Sequence, residues 1–456
     1  MATALRARAG SLAGRLSPGL TSALVVGFVL RLAFALAATP DSFMVYSEPY
    51  EYLSYASSIS DLAEYRINGH VTAFFPAGWP LAIAPISWVS RHTGWFLQSQ
   101  GATVLCAVIG TYTVWASARL AEQWLGPRSK PLVAWLVALA PALIIVTATP
   151  LVETMYTAVV LTLLLPLARL LEAAPFRLPT ARSSFAYGLL AGYLILVRSS
   201  GIVVLLLVVA WLWRRARGQA PIRRTVGIVL LGIAVLVVPM TLRNGLAVHF
   251  WSPFSTNQAG AMCLGHHDGS TGGITTDEAV LYDCHWGAPQ IRTGWTPTIE
   301  SRWARRAPID AIHWAISHPR QEVGLTAKKT YLVLGQDRNA GALSFTADEH
   351  AIPEHFIDPL LRAIEAWRWI MLTLAAAALL RSKRCRGAYI IWATPTAMFV
   401  IVYAGAVGAR MNLPLLPFVA ILASTVLLPD TTEQSAGPAP EPVEAGDPAP
   451  GAALNS

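Results

Sequence analysis

The chain has 456 residues, 54% of them hydrophobic and only 13% charged, with a formal net charge of +8. This composition and a mean hydropathy of +0.48 exclude an ordinary soluble domain and indicate a polytopic membrane protein. The arginines stand at the ends of apolar runs and form no single basic face. We therefore attribute the positive charge to membrane topology and predict no nucleic-acid partner.

The N-terminal segment places three arginines before the apolar run Gly19–Ala38. The pattern fits either a cleaved signal peptide, with Ala-Leu-Ala before the cut, or an uncleaved first span. We favour the span, because the run has about the ~20 residues that a helix needs to cross a bilayer.

Apolar runs predict about ten membrane helices in all. They are Gly19–Ala38, Trp95–Leu120, Pro131–Ala148, Val152–Leu171, Phe185–Val197, Gly201–Trp213, Val226–Leu242, Leu360–Leu380, Tyr389–Val407 and Leu413–Leu428. The fifth and sixth are short and share the joint Arg198–Gly201, so they form either a tilted pair or a helix broken near the surface.

Basic clusters recur on the side of the membrane where the chain begins, which places both termini in the cytoplasm of a plasma-membrane protein. A first loop, 39–94, and a long loop, 245–358, then face outward. The first loop contains Pro80–His92, which we interpret as a helix at the outer interface, with a short buried span as the alternative. The long loop has the pattern of a small subdomain or lid. Residues 1–428 form the membrane domain, and the Pro- and Ala-rich tail 429–456 is expected to be disordered.

Carboxylates are concentrated in the first loop, where Glu48 precedes Pro49 at a predicted helix start. Such a residue serves either as an acidic cap or, beside several tyrosines, as a general base. Glu51 follows on the same helix and His70 lies further along the loop. His70 either contacts a substrate or caps a turn.

Four more charged residues lie at outer ends of spans. Glu153 begins an apolar helix, where a carboxylate is costly and normally faces a cavity or a cation. Arg198, Arg243 and Arg410 follow three separate spans. Each alone fits an arginine that reaches to lipid headgroups, but three on the side that the positive-inside rule disfavours predict an anion site, since a guanidinium can hold two phosphate oxygens.

The long loop holds two further patterns. His266-His267-Asp268 lacks the spacing of a metal site, and we interpret it as a solvated turn. Cys263 and Cys284 are the only two of the four cysteines that could pair, and only if this loop is outside the cell.

Taken in order, the polar motifs resemble those of the GT-C superfamily of membrane glycosyltransferases, in the bacterial branch of protein mannosyltransferases and the lipid A aminoarabinose transferase. The matching segments are Glu48-Pro-Tyr-Glu51-Tyr52-Leu53, Pro76-Ala-Gly78-Trp79-Pro80, Val152-Glu153-Thr154-Met155-Tyr156, Leu196-Val197-Arg198-Ser199, Thr241–Asn244, Ser255-Thr256-Asn257-Gln258-Ala259-Gly260 and Arg410-Met411-Asn412-Leu413-Pro414.

The resemblance implies an all-α GT-C-like fold and an inverting glycosyltransferase that takes a sugar from a polyprenyl-phosphate donor at the extracytoplasmic face. The family usually has Asp where this chain has Glu48, which leaves Glu51 and Asp41 as alternative bases. We further predict substrate contacts from Glu51, His70, Glu153, Arg198, Arg243, Asn257 and Arg410. Mannose is the first expectation for the sugar and a pentose the second, with a glycan, lipid or protein acceptor.

No cofactor or metal is predicted, because the arginines can stabilise the leaving phosphate. The alternatives from other classes are a transporter or lipid-linked-sugar flippase, for which charges at mid-depth are expected, and a noncatalytic scaffold. The glycosyltransferase interpretation requires Glu48 and the three arginines to converge in one pocket.

Overall fold

The structure is a computed structural model. It describes residues 18–40, 43, 47–172, 178–215, 222–274, 280, 283–284, 294–335, 353–381, 404–407 and 410–428. The predicted tail 429–456, most of the run Tyr389–Val407, and Asp41 lie outside these residues.

The described chain is helical apart from one two-stranded hairpin, which confirms the predicted all-α class. Its α-helices are α1 Pro18–Ala38, α2 Glu48–Ser60, α3 Gly78–Thr93, α4 Gln98–Leu125, α5 Ser129–Ala138, α6 Pro141–Ile145, α7 Val152–Glu172, α8 Ala181–Val197, α9 Gly201–Arg215, α10 Ile222–Val248, α11 Asn257–Gly265, α12 Pro297–Ser317, α13 Pro319–Gly335, α14 Glu354–Arg381 and α15 Leu416–Leu427. Short 3-10 turns, Val146–Ala148 and Leu413–Leu415, follow α6 and precede α15, and the antiparallel hairpin pairs β1 Arg66–Ile67 with β2 His70–Val71.

Four of these helices, α1, α4, α10 and α14, are long and apolar enough to cross a membrane, and the bent pair α5–α6 makes a fifth. Four shorter apolar helices, α7, α8, α9 and α15, accompany them. The chain is therefore a multi-pass membrane protein, while the predicted count of ten spans is not confirmed.

The predicted span Pro131–Ala148 is broken in the middle: its two helices meet at an angle of 61°. Pro141 starts the second helix, and a proline disfavours helical backbone in the residue before it. The break leaves carbonyl oxygens without partners in their own helix. Arg31 of α1, which is fully buried, donates to two of them, Val137 O and Ala138 O, each at 3.0 Å.

The first polar loop, 39–94, folds into α2, the hairpin and α3. Ser47 caps α2 by accepting from the Tyr50 amide, and Pro49 occupies the first turn, where its missing N–H costs nothing. The helix ends at Ser60, just before Leu62 turns into the left-handed region at φ 55°. The predicted helix Pro80–His92 is present as α3.

The long polar loop, 245–358, supplies α11, α12 and α13. A disulfide joins Cys263 to Cys284, which is the pairing that the sequence left open. The segment 404–407 lies against this loop: Val407 N donates to Gly272 O at 2.9 Å and Ala406 N to Ala261 O at 2.7 Å. Asn412 Nδ2 donates to Val333 O of α13 at 2.9 Å. These contacts fix the residues on both sides of Arg410.

Candidate functional site

Four predicted site residues meet in one ion-pair cluster, which consists of Glu48, Glu153, Arg198 and Arg410. Glu153 Oε1 accepts from Arg198 NH1 at 3.0 Å and lies 3.3 Å from Arg410 Nε. Arg410 also pairs with Glu48 Oε2 through NH2. Arg410 thus joins two carboxylates that are 105 positions apart in sequence (153 minus 48).

Three members of the cluster stand at the ends of helices, and the fourth precedes a 3-10 turn. Glu48 and Glu153 lie in the first turns of α2 and α7, where the helix dipole favours negative charge. Arg198 follows the last residue of α8, where the dipole favours positive charge. Arg410 lies just before the 3-10 turn Leu413–Leu415. The termini of three helices and one turn therefore converge.

The motif Pro76–Pro80 holds two of these termini together. Trp79 is fully buried, and its Nε1 donates to Pro150 O at 2.7 Å, three residues before Glu153. A side chain at Gly78 would lie 2.3 Å from the backbone nitrogen of Val197, so only glycine allows this approach beside Arg198. The motif acts as a packing element that sets the distance between Glu153 and Arg198.

The two carboxylates of the cluster differ in exposure. The Glu153 side chain is 2% exposed, whereas that of Glu48 is 28% exposed. Tyr52, one turn along α2, donates to Glu48 Oε1 at 2.9 Å. Burial raises the pKa of Tyr52, with Glu153 acting in the same direction and Arg198 against it. The hydroxyl therefore stays protonated and donates to Glu48.

Arg410 remains charged at neutral pH. Burial lowers the pKa of its guanidinium to about 10, which is still well above neutrality. The cluster thus pairs two guanidiniums with two carboxylates, and Glu48 is its most exposed member.

A second buried carboxylate, Glu300 of α12, is absent from the sequence predictions. We define the Glu300 network as Glu300 with its four donors. Oε1 accepts from Ala73 N at 2.9 Å and Thr256 Oγ1 at 2.7 Å, and Oε2 from Thr72 Oγ1 at 2.8 Å and Trp295 Nε1 at 3.4 Å. Its only sequence signal is a carboxylate in the first turn of a helix that begins Thr-Pro-Thr-Ile-Glu, which also fits an ordinary capped start.

Burial raises the pKa of Glu300, and the four hydrogen bonds oppose that shift. Both oxygens have two donors each, and no arginine or lysine is among these partners. The network ties the first polar loop to the long polar loop and leaves the carboxylate no lone pair for a ligand.

Arg243 and Asn257, both predicted to bind substrate, belong to the same loop junction. Arg243 donates to Thr72 O at 2.7 Å and to Glu64 Oε2 at 2.9 Å. The Asn257 amide donates to Phe74 O at 3.2 Å, while its Oδ1 accepts from Ser255 at 2.8 Å. Within the described part of the chain, no hydrogen bond or ion pair joins either residue to the ion-pair cluster. Arg243 is thus not part of the predicted three-arginine group.

Glu51 and His70 also lie apart from the cluster. Glu51 is 2% exposed and accepts from Tyr65 O–H at 3.0 Å, and Tyr65 in turn stacks on Tyr55 at 3.9 Å. His70 is half-buried on β2, in register with Ile67. Glu51 follows Glu48 by one turn but faces another set of partners, so the two carboxylates are not interchangeable.

The His266-His267-Asp268 segment is a turn, as the sequence suggested, but only Asp268 in it is exposed. His266 is buried, and its Nε2 lies 3.2 Å from Lys329 Nζ and 3.4 Å from Glu322 Oε1. Asp268 accepts from Trp314 Nε1 at 2.9 Å. Among the residues that the structure describes, no three His, Cys, Asp or Glu side chains are grouped as metal ligands.

Chemically, the ion-pair cluster combines a partly exposed carboxylate with two guanidiniums. Carboxylates accept protons from hydroxyl groups, and guanidiniums bind phosphate oxygens in pairs. An anion that reached this cluster would compete with Glu48 for Arg410.

No protein-family model and no curated protein matches the sequence. Among solved structures, the chain is similar to the oligosaccharyltransferase AglB from Archaeoglobus fulgidus in complex with an inhibitory peptide and a dolichol-phosphate. The identity is 11%, the TM-score is 0.48, and the match covers 90% of this chain and 50% of AglB. The chain thus spans about half the length of that protein.

It is also similar to ArnT from Cupriavidus metallidurans bound to undecaprenyl phosphate, with 16% identity, a TM-score of 0.39, and coverage of 90% of this chain and 77% of ArnT. These neighbours belong to the GT-C superfamily, which the sequence motifs also resemble. At TM-scores below 0.5 the likeness decides no activity, so the function has to be argued from the residues.

Proposed function

We propose that the chain is a GT-C-like glycosyltransferase that moves a sugar from a polyprenyl-phosphate donor to an acceptor hydroxyl at the extracytoplasmic face, with inversion at the anomeric carbon. The observation that carries this proposal is the convergence of Glu48, Arg410, Glu153 and Arg198 in one cluster. Mannose is the first expectation for the sugar and a pentose the second. The acceptor is a glycan, a lipid or a protein.

The ion pair between Glu48 and Arg410 supports a specific order of events. Arg410 is the residue that an incoming phosphate would engage, since its partner Glu48 lies at the exposed end of the cluster. Once Arg410 turns to the phosphate, Glu48 loses its cation and binds a proton more readily. Donor binding would thereby switch on the base.

In the transfer step, the acceptor oxygen attacks the anomeric carbon as the bond to the phosphate oxygen breaks. Glu48 takes the acceptor proton, and the electron pair of the broken bond leaves with the lipid phosphate. Arg410 and Arg198 stabilise the charge that develops there. Glu153 holds the two arginines in place through one oxygen atom. No cofactor takes part in this scheme.

The test is Glu48→Gln in the purified chain, assayed with defined polyprenyl-phosphate sugars. Removal of the base is expected to lower transfer by about 100- to 10,000-fold. Donor binding is expected to be at least as strong as in the wild type, because the carboxylate no longer competes for Arg410. The melting temperature in detergent is expected to stay near the wild-type value. Unchanged turnover would remove Glu48 from the mechanism.

Glu122→Gln is the matched control, because Glu122 also sits in an ion pair, with Arg119 and Lys130, but at the far end of α4. It is expected to leave transfer intact. A transporter or lipid-linked-sugar flippase is the alternative function. If the chain were a flippase, Glu48→Gln would alter the movement of the lipid across the bilayer of vesicles that contain no acceptor. A transferase shows no reaction in such vesicles.

A further inference from the structure

A small cavity lies beneath the ion-pair cluster, among α1, α4, α6 and α7. Its polar lining includes Arg31, Thr113, Glu153, Thr154 and Thr157, and the remaining wall is apolar. Arg31 lies seven residues before the end of α1, about 10 Å into the helix at 1.5 Å per residue. The cavity therefore connects the cluster with a cation inside the membrane domain.

Three buried polar atoms on this wall have no hydrogen-bond partner within the described part of the chain: Arg31 Nε, Glu153 Oε2 and Thr154 Oγ1. Arg31 is 0% exposed and Glu153 is 2% exposed. A buried polar atom without a partner costs about 1–3 kcal/mol, and its presence in a native protein calls for an explanation. Here the three atoms line one cavity, so one occupant could satisfy all three.

The orientation of Arg31 follows from the break between α5 and α6. Its NH1 donates to Gly27 O and Ala138 O, and its NH2 to Val137 O, all at 3.0 Å. These bonds hold the terminal nitrogens on the side of the helix break. Nε is left to line the cavity, and Gly110 permits this because a side chain there would lie 3.0 Å from it.

The size of the cavity limits which molecule can occupy it. The space open to the centre of a water molecule is about 10 Å³, which is close to the minimum for one water and too little for a phosphate group. We propose that an ordered water occupies this cavity and bridges Arg31 to Glu153. The water accepts from Arg31 Nε–H, donates to Glu153 Oε2 and shares a further hydrogen bond with the Thr154 hydroxyl.

This bridge changes the charge balance of the site. Glu48 and Glu153 balance Arg198 and Arg410, and Arg31 adds one positive charge through the water. The ion-pair cluster together with Arg31 carries a net charge of +1. This charge is opposite in sign to that of a phosphodiester monoanion. The match to a lipid-linked phosphodiester rests on the proposed function, whereas the water site itself does not.

The test is X-ray radiolytic labelling of the full chain in lipid nanodiscs, followed by mass spectrometry. Hydroxyl radicals form from water in place, so they oxidise side chains beside a buried water. Leu143 and Val146 line the cavity although they are only 8% and 4% exposed. They are expected to be oxidised several-fold more than Leu165 and Val159 of α7, which are 7% and 5% exposed and do not line the cavity.

Gly110→Ala narrows the cavity and is expected to abolish the excess labelling of Leu143 and Val146. Thr154→Val removes one partner of the water with little change in shape and should reduce the excess labelling in part. Thr111→Val, next to Gly110 on α4 but not on the cavity wall, should leave the excess labelling unchanged. The proposal would be overturned if Leu143 and Val146 were labelled no more than Leu165 and Val159. It would also be overturned if Gly110→Ala left the labelling of Leu143 and Val146 at the wild-type level. Inactivity of the protein in sugar transfer would leave this readout unaffected.

Discussion

The ion-pair cluster and the Glu300 network each contain a buried carboxylate from a helix start, yet their partners differ. Glu300 has four neutral donors, which occupy both of its oxygens. Glu153 has two arginines on one oxygen and lines a cavity with the other. Glu300 is therefore saturated by its own protein. The ion-pair cluster, in contrast, has arginines that an anion can engage and an adjoining cavity.

Saturated carboxylates stabilise a fold, because each donor that they satisfy would otherwise be buried without a partner. Carboxylates held by arginines that can exchange partners suit anion chemistry. The difference predicts that substitutions in the two regions alter different quantities, namely transfer for the cluster and stability for the network.

The largest expected effect is that of Arg410→Ala. Loss of the guanidinium that joins Glu48 to Glu153 should lower sugar transfer by about 100- to 1,000-fold, as loss of a charge-stabilising donor does in other enzymes. Arg410→Lys retains the charge without the two-pronged geometry and should recover only part of the rate. Steady-state kinetics with a defined lipid-phosphate sugar measure both. Wild-type rates in Arg410→Ala would place the anion site elsewhere.

Glu300→Ala should act mainly on stability. It leaves four buried donors unsatisfied and is expected to cost about 3 kcal/mol or more, seen as a lower melting temperature in detergent. Glu64→Ala is a suitable control, since Glu64 is about half exposed and its carboxylate pairs with Arg243 outside the network. A melting temperature unchanged by Glu300→Ala would mean that the loop junction does not depend on this network.

Arg243→Ala tests whether Arg243 acts in the loop junction, on stability, or in the ion-pair cluster, on donor binding. Since Arg243 binds Thr72 O and Glu64 and not the cluster, we expect a loss of about 1 kcal/mol of stability and donor affinity within about twofold of wild type. Arg198→Ala in parallel should weaken donor affinity. Equal loss of affinity in both variants would return Arg243 to the anion site.

The smallest expected effect concerns Lys329 and pH. Burial lowers the pKa of Lys329 to about 8, with Glu322 opposing the shift. Between about pH 8 and its ordinary pKa near 10.5, the unfolded chain binds a proton that the folded chain lacks, so stability rises with pH across this window. The cost of burying the ammonium is fully present below about pH 8.

Lys329→Met should remove this rise. Melting temperatures of both proteins at pH 7, 8, 9 and 10 test it, and the advantage of the variant should shrink as pH increases. Parallel curves for the two proteins would contradict the assignment.

Composition and apolar runs were sufficient to predict a helical membrane protein, because burial in lipid requires long apolar helices whatever their arrangement. Glu153, Arg198 and Arg410 could be selected from sequence too, since charges at the ends of apolar runs are costly and their positions are visible. Glu48 was selected by its place at a predicted helix start and by the family resemblance. The break at Pro141 was missed, because hydropathy does not register a bend within an apolar run.

The tertiary structure alone decided which of the selected residues meet. Arg198 and Arg243 have equivalent sequence settings, each at the end of an apolar helix, but the packing of Gly78 and Trp79 brings only Arg198 to Glu153. In the sequence, Glu300 looks like part of an ordinary helix start, and Arg31 like an isolated arginine in an apolar run. Only in the fold do donors from distant segments surround Glu300 and distant carbonyl oxygens surround Arg31. The pairing of buried charges depends on distances between segments that are far apart in the chain. The local sequence shows which charged residues are present but not how far apart they lie in space.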